Sequence, residues 1–207
     1  MSQLKKEAVE QKILKSAKAI FLKHGFSKAN LRDIAKKANI SLSNLYTYYS
    51  DKDALFVSVL KPELNDLERL CEFGRTHRQE VTPFETLQTK KQYLRFALDY
   101  ISSHKPELNL LFNHSFGSSL ENYSEYLAQE YENNWNLLFT DLKKKFPHHK
   151  FNKPSSFFLR NMAHFHIMTI SKILMHDYSR TQMTHISDEI AIFLWHGGMG
   201  LINSEES

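Results

Sequence analysis

The side chains best suited to chemistry lie between residues 30 and 49. Arg32 has the donor geometry that pairs bidentately with guanine, and Asn44 can pair in the same way with adenine. Leu42 is suited to contact a thymine methyl group, and Ser43 is a further polar side chain beside it. These residue types are suited to contact base edges in duplex DNA. For Arg32 an alternative stays open, a contact to the phosphate backbone that fixes position without reading sequence.

Two short helices joined by a tight turn must position these side chains. Ala35 is small where the helices are expected to cross, and Asn39 is the residue type that best tolerates a positive φ after glycine. Residue Ser41 can cap the second helix. The spacing therefore predicts a helix-turn-helix, whose second helix enters a major groove and whose shared core consists of Ile34, Ile40 and Leu45.

The rest of the chain also has helical periodicity. The six glycines and five prolines in 207 residues leave room for long helices, and no segment alternates with period two over a strand length. We predict an all-α fold of about nine helices. The first covers residues 4–24 and ends at Gly25, and the fourth begins at Ser50–Asp53 with a kink or break at Pro62. Later helices are expected to start at Thr82-Pro83, Pro106, Ser118 or Ser119, Pro154 and about Thr184.

The composition limits the class of protein. Apolar residues make up 42% and charged residues 24% of the chain, as in globular domains, and no apolar run is long enough to cross a membrane. The polar start of the chain does not resemble a signal peptide. Cys71 is the single cysteine, so neither an intramolecular disulfide nor a thiolate cluster can form. We therefore expect a cytoplasmic protein without contact to a membrane.

Positive charge is concentrated at the start of the chain. Residues 1–60 contain eleven Lys or Arg and five Asp or Glu, a net charge of +6, whereas the remaining residues have a net charge of −2. A cationic surface binds the phosphate backbone with release of counterions. The alternative is a basic helix face that serves only solubility.

From Ile13 to Leu55 the sequence resembles the DNA-binding domain of the TetR (tetracycline repressor) family. The match departs from the usual pattern at Asn39, which replaces a Gly, at Asn30-Leu31, which replace a Thr/Ser pair, and at Tyr49, which replaces a Phe. The matching elements are Ile13-Leu14, Ala17, Phe21, Gly25-Phe26, Ile34-Ala35, Ile40-Ser41, Leu45-Tyr46, Tyr48-Tyr49, Lys52 and Leu55.

The resemblance implies a DNA-binding domain over residues 1–52, extending to about 60 with the start of the connecting helix, and a helical effector and dimerisation domain over 53–207. Tyr46, Tyr48 and Lys52 resemble residues that contact the DNA backbone, whereas Tyr49 is expected to pack inside. The candidate DNA-binding residues are Lys28, Asn30, Arg32, Ser41, Leu42, Ser43, Asn44, Tyr46, Tyr48 and Lys52.

The resemblance also implies that the last two long helices pair with those of a second subunit. Two recognition helices would then read a palindromic operator, and repression is the commoner outcome in the family. Residues 155–175 and 186–201 are more apolar than a one-sided surface helix requires, although a buried core helix is the alternative. The candidate dimer residues are Phe158, Met162, Phe193 and Trp195.

Aromatic and histidine side chains of the second half are candidates to line an effector pocket. They are Phe112, His114, Phe116, Trp135, His164 and Phe165. The alternative is an ordinary aromatic core. An unknown, partly apolar small molecule would act by favouring a conformer that no longer fits the operator.

Two other classes of protein are alternatives, an enzyme or metal sensor and an interaction protein that does not bind DNA. His164 and His166, like His148 and His149, lack the i, i+4 spacing that places two imidazoles on one helix face, and no nucleophile elbow or phosphate loop occurs. We therefore expect no catalytic residues, no metal and no cofactor. A stoichiometric bound ion would reopen the enzyme or metal-sensor alternative. The other alternative, an interaction protein that does not bind DNA, is disfavoured by the charge on residues 1–60.

Overall fold

The computed structural model describes residues 3–76, 87–148 and 150–203. These residues form nine helices and no strand, which confirms the all-α prediction. None of the described helices is both long and apolar enough to span a membrane. The helices are α1 (Gln3–Lys28), α2 (Leu31–Lys37), α3 (Leu42–Tyr46), α4 (Lys52–Thr76), α5 (Leu87–Ser103), α6 (Lys105–Asn113), α7 (Tyr123–Lys145), α8 (Ser156–Met175) and α9 (Arg180–Asn203).

The helices pack as two compact units. The first unit contains the chain up to Asp66 together with Pro106–Tyr123, and the second contains Leu67–Lys105 together with the chain from Ser124 onward. Most of α6 thus packs with the first unit, although the sequence assigned residues 53–207 to one domain. The assignment of DNA binding and effector binding to residues 1–52 and 53–207 stays a prediction.

An aromatic cluster forms the centre of the first unit. The ring of Phe56 meets those of Phe21 and Phe26 edge-on, each with a centroid distance of 4.9 Å. Such edge-to-face pairs stabilise a core beyond the area that they bury. The fully buried side chains around the cluster come from α1 to α4 and α6, and include Ile13, Ile34, Leu45, Leu55, Leu60, Leu108, Leu110 and Leu111.

The segment from Pro106 to Tyr123 is tied to the first unit by polar contacts as well. Lys18 forms an ion pair with Glu107, and the backbone N–H of Phe26 donates to the carbonyl of His114 at 2.9 Å. The backbone N–H of Ser119 donates to Asp53 at 2.8 Å. These contacts join residues far apart in sequence, so periodicity alone did not reveal them.

Ion pairs connect the helices of the second unit. Arg95 of α5 binds both carboxylate oxygens of Asp188 on α9, with Nη2–O distances of 3.0 and 2.9 Å. Arg160 of α8 pairs with Glu132 of α7 at 3.1 Å. The buried side chains include Leu98, Ile101, Phe139, Leu142, Leu159, Ala163, Ile173, Leu174 and Ala191.

Several helix ends differ from the expected ones. The expected end of the first helix at Gly25 is confirmed by a break in the backbone there (φ 69°, ψ 175°), after which a short helical stretch extends α1 to Lys28. Helix α4 continues through Pro62, where a kink or break was expected. Helix α7 begins at Tyr123 rather than at Ser118 or Ser119. Helix α9 begins at Arg180 because Ser179 and Gln182 bond reciprocally, at 3.3 and 2.8 Å, as a capping box. The expected helix start at Thr82-Pro83 lies outside the described residues.

Candidate nucleic-acid interface

Helix α2 is built by its cap and its buried face. The side-chain oxygen of Asn30 accepts the backbone N–H of Arg32 at 2.9 Å, which satisfies one of the unpaired donors at the helix start. Ile34 and Ala35 are buried beneath, so Arg32 and Asp33 project to solvent. The cap and the buried face together present Arg32 outward.

The turn that follows has the geometry expected from the sequence. Asn39 has a φ of 55°, the only positive value at a non-glycine residue in the described part of the chain. The backbone N–H of Ile40 then donates to the carbonyl of Ala35 at 3.0 Å. Ala35 is buried at the helix crossing. Of the three residues expected to form the shared core, Ile34 and Leu45 are buried and Ile40 is half-buried.

Helix α3 has only five residues and depends on its cap and on Leu45. The hydroxyl of Ser41 accepts the backbone N–H of Asn44 at 3.1 Å, and Leu45 is fully buried. Ser43 is exposed, and Asn44 is half-buried. The polar tip of α3 therefore faces outward, as a groove-reading helix requires.

Nine of the ten candidate DNA-binding residues lie at the surface of the first unit, and two of them, Asn30 and Ser41, use a side-chain oxygen to cap α2 and α3. Tyr46 is 50% exposed, and Thr47, which the sequence analysis did not single out, is also exposed. The signal for Thr47 was its position between the candidates Tyr46 and Tyr48. The exposed candidates are Lys28, Asn30, Arg32, Ser41, Ser43 and Tyr46, and the half-buried ones are Leu42, Asn44, Tyr48 and Lys52.

The tenth candidate, Lys52, has a different environment. Its Nζ donates to the carbonyls of Phe26 at 2.9 Å, Ala29 at 3.3 Å and Ser27 at 3.4 Å. The same Nζ lies 4.3 Å from the centroid of the Phe26 ring. The charge that was predicted to contact a phosphate is therefore directed into the protein.

Two further side chains fix the start of α4 and the end of the helix-turn-helix. Asp51 accepts the backbone N–H of Ala54 at 2.7 Å, and this hydrogen bond, with that of Ser50, holds the pKa of Asp51 below its usual range. Tyr49 is buried, as expected, and its hydroxyl donates to Glu10 at 3.4 Å. Burial, reinforced by the Glu10 carboxylate, raises the pKa of Tyr49 to about 12.

The candidate effector residues fall into both packing units. Phe112 is half-buried in the first unit, but His114 is exposed and Phe116 is 78% exposed there. His114 and Phe116, which were expected among interior aromatic residues, therefore lie at the surface of the first unit. A role of these residues in effector binding stays a prediction.

In the second unit the remaining candidates border an aromatic cluster on α7 and α8. The ring of Trp135 lies 6.2 Å from Tyr131 and 5.9 Å from Phe139. The neighbouring His164 is half-buried, with Nε2 3.6 Å from Glu125. Burial raises the pKa of Tyr131 to about 12. Within the described residues no group of three His, Cys, Asp or Glu side chains could hold a metal ion.

The candidate dimer residues lie on α8 and α9 of the second unit. Phe193 is 56% exposed, Phe158 is also exposed, and Met162 and Trp195 are half-buried. Phe165, predicted as a pocket residue, contacts Phe193 with a ring distance of 5.8 Å. Because these helices are apolar on more than one face, their sequence does not distinguish the exposed apolar side chains from the buried ones. Four further apolar side chains are exposed: Phe157, Met168, Met175 and Ile192.

Residues 13–59, which contain α2, α3 and the start of α4, match the family model described as "Bacterial regulatory proteins, tetR family". This segment is thus similar to a TetR-type DNA-binding domain. The match confirms the resemblance seen in the sequence for these residues, and it concerns the N-terminal helices alone.

Known TetR-type regulators are similar over about half of the chain. It is 31% identical over 106 residues to the HTH-type transcriptional repressor SCO4008 of Streptomyces coelicolor, covering 51% of this chain and 49% of that protein. It is 32% identical over 106 residues to the HTH-type transcriptional regulator RutR of Escherichia coli, covering 51% and 46%. The chain thus spans about half the length of the curated relatives that it matches.

Solved structures show the same fold over nearly the whole chain. NalD, the secondary repressor of the MexAB-OprM multidrug efflux pump in Pseudomonas aeruginosa, superposes with a TM-score of 0.65 at 15% identity, covering 98% of this chain and 100% of that chain. A TetR-like transcriptional regulator from Rhodococcus gives a TM-score of 0.61 at 17% identity, covering 91% and 96%. At such identities the likeness concerns the fold alone.

Proposed function

We propose that this chain is a TetR-family transcriptional repressor that binds a palindromic operator as a homodimer and is released by a small-molecule effector. The observation that carries the proposal is the outward polar tip of α3 beside Arg32, held by buried Ile34 and Leu45. The chain segment that carries this tip has a net charge of +6 over residues 1–60. Such a surface supplies both base contacts and attraction to phosphate.

In this proposal the nine candidate residues other than Lys52 divide by role. Arg32 contacts a base edge, Ser43 and Asn44 add contacts from α3, and Leu42 contacts a thymine methyl group. Contacts to the DNA backbone come from the other candidates at the surface of the first unit, which supply register without sequence information. These residues are Lys28, Asn30, Ser41, Tyr46 and Tyr48.

Substitution of Arg32 tests the DNA-binding proposal. Arg32→Ala should weaken binding to a selected duplex by roughly 1–3 kcal/mol and relax preference at one base position. Arg180→Ala removes an equally exposed arginine from the first turn of α9 and is the matched control, expected to bind like the parent. The proposal fails if both variants bind with the parent's affinity and preference in a fluorescence-anisotropy titration.

The dimer proposal rests on the exposed apolar side chains of α8 and α9. Exposed side chains of this size in one region are typical of a protein interface. Phe193→Glu should shift the sedimentation coefficient from dimer to monomer. Phe96→Glu, at a 66% exposed position on α5, is the matched control and should leave the parent's oligomeric state intact. Equal sedimentation of both variants and the parent would place the interface elsewhere.

The effector is proposed to be a partly apolar small molecule that contacts the aromatic residues around Trp135 and His164 in the second unit. A ligand of the native state raises its unfolding temperature by mass action, so thermal-shift screening identifies candidates. A compound that stabilises the chain but leaves operator affinity unchanged is not the inducer. We further propose that the chain has no catalytic activity and acts in the cytoplasm, where a chromosome is accessible.

A further inference from the structure

The three donors of the Lys52 ammonium group are matched by three backbone carbonyls. An ammonium group has three N–H donors and no acceptor. In the structure the carbonyls of Phe26, Ser27 and Ala29 all lie within hydrogen-bond distance of Nζ. The Phe26 ring covers another side of the charge at 4.3 Å from Nζ. A phosphate could bind this group only by displacing a contact that already exists.

We propose that Lys52 is a positioning residue that closes the helix-turn-helix segment at its base, and not a phosphate contact. The chain enters this segment at Ala29 and leaves it at Lys52, and the bond from Nζ to the Ala29 carbonyl joins the two ends. Between them lie α2 with Arg32 and α3 with Ser43 and Asn44. We call the contacts of Lys52 Nζ with the carbonyls of Phe26, Ser27 and Ala29 the lysine clasp. Its role rests on the proposed DNA-binding function, since both concern the same surface.

The carbonyls that Lys52 binds lie between the break in α1 at Gly25 and the start of α2. In this short stretch the Phe26 carbonyl also accepts the backbone N–H of Ala29 at 3.2 Å, so Lys52 joins a turn that has its own hydrogen bond. Two residues beyond the clasp, Asn30 caps α2 and places Arg32. A change in the clasp therefore alters where α2 begins.

The clasp and a phosphate contact predict different salt dependences. Loss of one phosphate contact reduces the slope of log affinity against log salt by about 0.9. Lys52→Met keeps the apolar stem beside Phe26 and removes the charge. For a clasp, we expect an unchanged slope on mixed-sequence duplex DNA and a melting temperature several degrees lower. We also expect a smaller ratio of affinities for pool-selected over mixed-sequence DNA, since α2 is no longer held in place.

Lys144→Met is the matched control for the loss of one surface charge. Lys144 is exposed in the last turn of α7, in the second unit, and its variant should keep the parent's melting temperature and slope. A shallower slope for Lys52→Met than for the parent overturns the proposal, whatever its melting temperature. An unchanged melting temperature overturns it as well.

A measurement on the parent protein covers the case in which Lys52→Met does not fold. Nuclear magnetic resonance of 15N-labelled lysine side chains should show a protected Lys52 ammonium signal that stays unchanged when mixed-sequence duplex is added. A signal that moves on addition of DNA, or that lacks protection in the free protein, overturns the clasp. If the parent binds no DNA, the proposed function fails, while protection and melting temperature still decide whether the clasp exists.

Discussion

The cap of the shortest helix offers a sharp test of how the DNA-reading surface is held. Ser41→Ala removes the hydroxyl that accepts the backbone N–H of Asn44 at 3.1 Å. Loss of such a cap typically destabilises a protein by about 1 kcal/mol. We expect a value near that figure because Asn44 is half-buried and water can replace only part of the contact. For a domain of roughly 60–100 residues this lowers the melting temperature by about 4–8 °C.

Ser43→Ala is the matched control, because it makes the same chemical change two residues along the same helix. The Ser43 side chain is exposed and has no capping role, so its variant should stay within about 0.5 kcal/mol of the parent. The assays are thermal unfolding by circular dichroism and hydrogen exchange of the Asn44 amide. That amide should exchange faster in Ser41→Ala than in Ser43→Ala.

Ser41→Asp separates stability from DNA binding at the same position. An aspartate caps α3 as well as serine does, and its charge suits the helix start. Its melting temperature should therefore match the parent's, while its negative charge should weaken binding to duplex DNA. Equal melting temperatures for Ser41→Ala and Ser43→Ala, with equal Asn44 exchange, would refute the assigned role of the cap.

Further predictions concern the turn, a buried phenol and a surface ion pair. Asn39→Ala should destabilise the chain by about 1–2 kcal/mol because φ is 55° there, whereas Asn39→Gly should not, as urea unfolding would show. Burial and Glu10 raise the pKa of Tyr49 to about 12, so its stabilising contribution is complete below about pH 10 and declines as the pH rises from there through 12. Urea midpoints of Tyr49→Phe should fall less than the parent's over that window, and parallel curves would contradict this. Arg95 holds the pKa of Asp188 below its usual range, so the stabilisation that Asp188 gives is present above about pH 4 and lost as the pH falls. Asp188→Asn should therefore lose slightly less unfolding free energy than the parent as the pH falls below about 4. An equally steep loss would argue against the Arg95–Asp188 ion pair.

Local chemistry made the helix-turn-helix predictable. Asn39 at the turn, Ser41 at the cap and buried Ile34 and Leu45 are each specified by residue type and short-range spacing, and the structure shows all of them. The start of α7 was less predictable, because Ser118 has the residue type of a helix cap. In the structure its hydroxyl donates to the Ser115 carbonyl inside a turn.

Contacts between distant residues were the part that the sequence could not supply. Lys52 resembled a phosphate-binding residue, and nothing in its neighbours indicated the carbonyls of Phe26 and Ala29, more than twenty positions earlier. Likewise, helical periodicity places Phe116 among aromatic neighbours but does not reveal that its side chain is exposed. Periodicity gives the face of a helix, whereas the partner of that face depends on the whole fold.

Selection of bound duplexes from a random DNA pool tests the central claim most directly. A dimer that presents two α3 helices should enrich a palindrome or near-palindrome, with half-sites centred one helical turn or a multiple of it apart. Repeating the selection with Arg32→Ala should relax one position in each half-site. Enrichment of no common sequence, or of one that Arg32→Ala selects unchanged, would contradict the account.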